Sequence, residues 1–328
     1  MATKRTIKRS TETYVLSIGA ALDEFIEEKQ ANNLAAKTIN NYLQSIGYFL
    51  DFNELTRDSE VTEINQSQIF KWINTLKLEG VSPNSINHYL RDTRTFLYWC
   101  MAEERGYITP FKIKQVQAQE ETPKLFSDED LILLTEHPQR NNNRFTDWRN
   151  WAIVSWVLGT GNRAATIVEV KINDIDFRKK EITLAHTKNK KAQVLPLSSA
   201  LEAVLKEYIK TWRADAPKDA YLFCNVGEEK LTTNALQNSF AKYCKEKGVS
   251  HTNIHGLRHN LAKNWVMTNG NQFKLQKVLG HSTLDMTKRY VNLFSEDVKE
   301  GYDSHSALDT IARKKRRTQA VKKNPWDD

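Results

Sequence analysis

The 328-residue chain has no apolar run near the ~18 residues that a membrane-spanning helix requires. Its first ten residues, MATKRTIKRS, are basic but lead into no apolar segment, so no signal peptide is expected. Cysteine is scarce: Cys100, Cys224 and Cys244 are an odd number without metal-type spacing, which fits a reducing compartment better than a disulfide framework. There is no GxxxxGK[ST] phosphate loop, and no repeat at a 20–50-residue period. These absences predict a cytoplasmic protein with no membrane partner and no nucleotide or metal cofactor.

What is present begins with charge, 48 Lys and Arg against 40 Asp and Glu. The excess of eight sits at the two ends. Residues 1–10 carry four basic residues and no acids, while 309–328 carry seven basic residues and three acids. The body between holds 37 of each sign. Within it, residues 11–112 are acidic, with 14 acids to 9 bases, and the remainder is basic. A basic total therefore identifies two tails and an asymmetry between halves, and does not by itself establish nucleic-acid binding.

The first hundred residues carry four helical stripes, among them Ile18, Leu22, Phe25 and Ile26, then Ile39, Tyr42, Leu43, Ile46, Phe49 and Leu50. A third stripe stops at Gly80, and a fourth opens at Ser82-Pro83, a capping serine followed by proline in the first turn. The polar stretch PFKIKQVQAQEETPK lacks periodicity and reads as a linker. Beyond it, a helix is predicted from Ser127, and an apolar helix over 148–158 breaks at Gly159-Thr160-Gly161. Two strands, 181–185 and 193–197, flank the basic turn HTKNKKA. Helices are predicted over 199–212, 232–247, 255–268, 271–279, 283–292 and 295 to about 317. The fold class is thus mainly α with a small antiparallel sheet. The predicted organisation is a basic arm over 1–14, a helical domain over 15–110, a linker over 111–125, a second domain over 126–300, and a C-terminal helix with basic tail over 301–328.

Four segments of the second domain stand out together: GTGNRAATIVEVKINDID with Arg163, HTKNKKAQVLPL with Lys188, HGLRH with His255 and Arg258, and LGHSTLDMTKRYVNL with His281 and Tyr290. In order and spacing this set resembles the tyrosine recombinase (phage integrase) family. The family's first arginine lies in a TGxR loop, its lysine in a β-turn before a V-P-L strand, and its HxxR pair opens a helix. Its second histidine precedes the nucleophilic tyrosine by nine residues, as His281 precedes Tyr290. The family commonly has Glu three residues after the first arginine, where this chain has Thr166, with Glu169 three further on. Asp174 matches its recurrent aspartate. The first domain resembles the family's DNA-contacting core-binding domain.

The resemblance implies a site-specific DNA recombinase of integrase or transposase type, forming a 3′-phosphotyrosine without ATP or metal. The chemistry of the residues agrees. A tyrosine attacking phosphorus conserves bond energy as a phosphotyrosine, and two guanidinium groups suit the charge on the attacked phosphate. Arg163 and Arg258 are assigned that role, Lys188 protonation of the leaving 5′ oxygen, His255 acceptance of the Tyr290 proton, and His281 a hydrogen bond to the phosphate. Lys191 is a candidate phosphate contact. Lys71, Lys77, Arg91 and Arg94 are candidates for a basic face hidden in the acidic first domain, the two domains being expected to clamp the duplex from opposite sides. The resemblance further implies specific double-stranded DNA sites, a homo-tetramer on DNA, accessory DNA-bending or directionality proteins, and nucleoid association when bound. Only about fifteen residues precede the first helix, so no additional arm-binding domain is expected.

Other readings share these residues. The second domain also fits an Xer-like resolvase with the same chemistry, or a catalytically silent DNA-binding relative. His251, His255 and His259 recur every four residues, a spacing that can present imidazoles to zinc, although no Glu follows His255 as in HExxH. Singly, each motif has a plainer reading: GTG as a helix stop, His255 and Arg258 as a structural pair on one helix face.

Overall fold

A computed structural model describes residues 16–118, 122–138, 144–184, 192–294 and 311. The fold is mainly helical, with one small antiparallel sheet, and divides into two compact units after Glu121.

The N-terminal unit holds α1 (Ile18–Ala31), α2 (Ala36–Phe52), α3 (Gln66–Leu78) and α4 (Pro83–Met101). The caps follow local chemistry. Ser17 accepts from the Ala20 amide, Asn65 from those of Ser67 and Gln68, and Ser82 from that of Ser85, with Pro83 in the first turn where its missing N–H costs nothing. Gly80 closes the third helix with φ of 75°. Phe25, Phe49, Trp72 and Phe96 are fully buried, and Phe25 meets Tyr42, Phe96 and Trp99 edge-on at 5.4–5.6 Å between ring centres. Part of the segment expected as a linker belongs to this core. Ile113 is buried in it, Asn87 exchanges two 2.8 Å hydrogen bonds with the backbone of Val116, and the Ile113 amide donates to the Tyr98 hydroxyl at 3.0 Å.

The C-terminal unit contains α5 (Asp128–Thr135), α6 (Phe145–Thr160), α7 (Ala164–Ile167), β1 (Ile175–Asp176), β2 (Glu181–Leu184), β3 (Gln193–Pro196), α8 (Ser199–Trp212), α9 (Thr233–Glu246), α10 (His255–Met267), α11 (Gln272–Leu279) and α12 (Asp285–Phe294). The sheet runs β1-β2-β3, with Ile175 opposite Ile182 and Ile182 opposite Leu195. Ile182 and Leu184 face the core while Glu181 and Thr183 face out. The two-residue β1 is an addition to the strands predicted from sequence. Helix α6 is the central element, packed by α8 and α10, with Trp156 fully buried. It begins at Phe145, earlier than its apolar run suggests, because Arg149 and Asn150 are buried with partners: Arg149 donates to the Cys224 carbonyl and the Ser239 hydroxyl, and Asn150 to the Ser239 carbonyl.

A smaller cluster lies at the end of this unit, where Ala262, Leu275, Leu279 and Tyr290 are buried together and Leu261, Trp265 and Phe294 pack against them. It ties α12 to α10 and α11. No described helix is long and apolar enough to cross a membrane. Lys188 and Lys191, the expected C-terminal helix beyond Ser295 and both charged tails lie outside the described residues, Ile311 excepted.

Candidate active site

Helix α6 ends because Gly161 adopts φ of 65°, and its amide returns to the Val157 carbonyl at 2.8 Å. The loop that follows is built from α6 itself. Trp156 donates its indole N–H to Asn162 Oδ1 at 2.9 Å, and Thr160 caps back onto the Trp156 carbonyl at 2.7 Å. This fixes the chain direction into Arg163, the N-cap residue of α7. The Arg163 side chain is half-buried, and its guanidinium makes no hydrogen bond or ion pair with the described residues, while its backbone carbonyl accepts from the Thr166 and Ile167 amides. Glu169, three residues beyond Thr166, pairs with Lys230 at 2.5 Å. Asp174 caps its own 3-10 turn, accepting from the Lys171 amide.

Helix α10 starts where Asn253 Oδ1 accepts from the His255 amide at 3.0 Å. His255, Arg258 and His259 stand three and four residues apart and therefore share one face. Arg258 is nearly fully buried. Its guanidinium donates to the Gly161 carbonyl, to the Leu279 carbonyl at 2.9 Å and to His281 Nε2 at 2.7 Å. Burial, followed by the like charge of Arg163, brings its pKa down to about 10, still protonated at neutral pH.

His281 is placed by the end of α11. Gly280 takes φ of 60° and the His281 amide returns to the Gln276 carbonyl at 3.1 Å. Burial and the Arg258 charge hold the imidazole at about 4, so it is neutral near pH 7. Since Arg258 can only donate, His281 Nε2 accepts. The ring proton therefore sits on Nδ1 and points to Thr287 Oγ1, 2.8 Å away. As placed here, His281 orients Arg258 and has no free ring N–H to offer a phosphate, which departs from the role expected of it.

Tyr290 lies on α12 with its ring parallel to that of His281, 6.2 Å between centres. Its hydroxyl is 2.8 Å from His259 Nδ1, and the charge of Arg258 acts on the same group. Burial raises the Tyr290 pKa, while Arg258, Arg163 and Arg289 oppose that rise. The imidazole at the hydroxyl is thus His259, not the expected His255. His255 is a turn away, edge-on to His259 at 4.6 Å, with its pKa pushed down to about 4 mainly by burial. Sequence spacing had placed His259 only in a metal reading. His251 packs against Phe126 with the rings tilted, 4.4 Å between centres, and no three His, Cys, Asp or Glu side chains among the described residues are grouped to hold a metal ion.

A cleft of about 810 Å³ opens beside these groups, lined by Arg163, Arg258, His281, Gln193, Lys274 and Lys277 among others. The Gln193 amide on β3 donates to the Lys277 and Val278 carbonyls, fastening that strand to α11. In the N-terminal unit, Lys71, Lys77 and Arg91 are exposed and Arg94 is half-buried. Arg91 and Arg94 share a face of α4, although Arg91 is paired with Asp92 and hydrogen-bonded to His88. Lys71 and Lys77, six apart on α3, face different directions.

The profile of the Phage integrase family matches residues 127–297, and that of the phage integrase N-terminal SAM-like domain matches residues 22–104. The chain belongs to the phage integrase family, the class of tyrosine recombinases. It is 26% identical to tyrosine recombinase XerC of Bacillus subtilis over 86% of this chain and 94% of that protein. To tyrosine recombinase XerA of Pyrococcus furiosus it is 23% identical, over 88% and 95%. Its fold is similar to that of the Tn1549 transposon integrase, solved with circular intermediate DNA (TM-score 0.69, 16% identity, 88% and 99% of the two chains). It is also similar to a lambda integrase dimer bound to a COC′ core site (TM-score 0.66, 16% identity, 86% and 97%).

Proposed function

We propose that this protein is a site-specific DNA recombinase of integrase type that breaks and rejoins strands through a 3′-phosphotyrosine at Tyr290. One observation carries the reading: the Tyr290 hydroxyl is held by an imidazole and lies within the field of two arginines, Arg258 and Arg163. A phenol with a pKa near 10 is ionised in only about one molecule per thousand at pH 7, so it must lose its proton as it attacks. The phenolic oxygen bonds to phosphorus while the bond from phosphorus to the 5′ oxygen breaks. Arg163 and Arg258 stabilise the negative charge gathering on the non-bridging oxygens, in a site where burial strengthens each interaction. His255 presents a ring N–H to that phosphate, and His281 keeps Arg258 aimed. Lys188 delivers a proton to the leaving 5′ oxygen. Attack of a 5′ hydroxyl from another strand reverses each step. The phosphotyrosine stores the bond energy, so ATP is not consumed.

The substrate is double-stranded DNA with defined recombination sites, acted on by a homo-tetramer with accessory DNA-bending or directionality proteins. Lys71, Lys77, Arg91, Arg94 and Lys191 contribute phosphate contacts that make binding salt-dependent. The near full-length similarity to XerC supports a second reading, an Xer-type resolvase using the same residues.

Incubation with nicked target DNA in EDTA tests the chemistry. A covalent protein–DNA adduct is expected, lost in Tyr290→Phe; an adduct that survives this substitution refutes it, and its absence from the unsubstituted protein indicates a silent relative. Recombination between two directly repeated sites, compared with insertion into an unlinked target, separates resolvase from integrase.

A further inference from the structure

We propose that His259 is the catalytic base of strand cleavage: Nδ1 takes the proton of the Tyr290 hydroxyl as that oxygen attacks phosphorus, and gives it back when the strand is resealed. The inference rests on Tyr290 being the nucleophile and adds the identity of its proton acceptor, a residue that the sequence offered only as a metal ligand.

The geometry has three parts. First, Nδ1 lies 2.8 Å from the hydroxyl oxygen, within the reach a proton transfer needs. Second, the positive charge of Arg258 favours the ionised form of the hydroxyl, and the imidazole is the acceptor at hand for the proton that leaves. Third, His255, on the same face one turn earlier, meets His259 edge-on and makes no hydrogen bond to Tyr290. The groups facing His259 are Arg258 and His255 from its own helix, Arg289 and Tyr290 from α12, and His251 from the preceding loop. Burial and the positive charges of Arg258 and Arg289 lower its pKa, which keeps it neutral and able to accept. His259 is only half-buried, so its other nitrogen can pass the proton to solvent.

The step balances as follows. The O–H bond of Tyr290 breaks, its electron pair forms the bond to phosphorus, and the proton resides on Nδ1. The electron pair of the broken bond to phosphorus leaves with the 5′ oxygen, which takes its own proton from Lys188. His259 therefore acts on the nucleophile and Lys188 on the leaving group, two ends of one displacement.

Single-turnover adduct formation on nicked target DNA, with DNA affinity measured in parallel, tests this. His259→Ala is expected to slow adduct formation by about a hundredfold or more, a typical contribution of a positioned base, with DNA affinity unchanged and partial recovery in added imidazole. His259→Asn keeps an acceptor oxygen near the hydroxyl but cannot carry a proton, and is expected to be as slow. Replacing the bridging 5′ oxygen by sulfur, which leaves without a proton, is expected to rescue Lys188→Ala and not His259→Ala. A His259→Ala rate within threefold of the unsubstituted protein overturns the proposal, as does full activity of His259→Asn, which would reduce His259 to holding the tyrosine in place. Should His259→Ala fail to fold, the Asn variant decides alone. An adduct persisting in Tyr290→Phe would instead remove the nucleophile on which the inference stands, whatever the His259 variants do.

Discussion

Substitution of Gly161 by alanine tests how tightly the site is fastened to the fold. The residue has φ of 65°, where an L side chain is strained by about 1–2 kcal/mol. A Cβ there would also lie 2.7 Å from Leu279 Cδ2 and 2.8 Å from Leu261 Cδ2. Leu261 is half-buried and can swing aside; Leu279 is buried, and moving it disturbs the carbonyl that Arg258 uses. Overpacking of this kind adds roughly 1–3 kcal/mol, so the variant should lose about 3 kcal/mol. For a unit of roughly two hundred residues that corresponds to a fall in Tm of ~6–12 °C. Gly280→Ala is the matched control. It shares the backbone strain, at φ of 60°, but its nearest neighbour is Gln193 Oε1 at 3.3 Å, so it should lose only about 1–2 kcal/mol. Gly47→Ala, in helical conformation with nothing within 4 Å, should gain roughly 0.5–1 kcal/mol through helix propensity. Thermal and denaturant unfolding of the three variants is the assay. Equal losses at 161 and 280 would refute the packing argument, and a stable Gly161→Ala protein with normal adduct formation would refute the fastening itself.

Two further predictions follow from the histidines. Thr287→Val leaves the His281 Nδ1–H buried without its acceptor, and should cost about 1–3 kcal/mol of stability. Adduct formation should slow roughly tenfold, the equivalent of about 1.4 kcal/mol of barrier; Thr287→Ser should recover both, and unchanged kinetics in the valine variant would sever His281 from the site. His281, buried against Arg258, has a pKa near 4 when folded against an ordinary value of 6.5, so the unfolded chain binds more protons between these limits. Its contribution is complete above pH 6.5 and is lost as pH falls toward 4, which unfolding midpoints across that range should register. A C-terminal unit equally stable at both ends would contradict the burial of His281 as a neutral ring.

Much of this arrangement could be read from the sequence because it depends on local chemistry. Ser82-Pro83 and Ser127 cap helices as their residue types require, Gly80 and Gly161 stop them, and the H-x-x-R spacing places His255 and Arg258 on one face. What was hidden depends on partners remote in sequence. Which imidazole meets Tyr290 is decided by how α12 crosses α10, through contacts of Tyr290 with Ala262, Leu275 and Leu279 that no periodicity encodes. The pairing of Glu169 with Lys230 likewise joins residues far apart in the chain. Residues 111–118 looked like a polar connector because few of them are apolar, yet Ile113 and the Asn87 amide suffice to bind them to a core.

Arg163 and Arg258 carry the same charge but are under different constraints. Arg258 ties its own helix to the loop at Gly161 and to the end of α11 at Leu279 and His281, whereas the Arg163 side chain makes no hydrogen bond with the described residues. Replacing Arg258 removes a cross-link as well as a cation, so its variants should be depleted from cells by proteolysis before any DNA is encountered. Replacing Arg163 leaves a folded protein that still occupies its sites and competes with active subunits there. In a mixed population, the first kind of defect would be recessive and the second dominant.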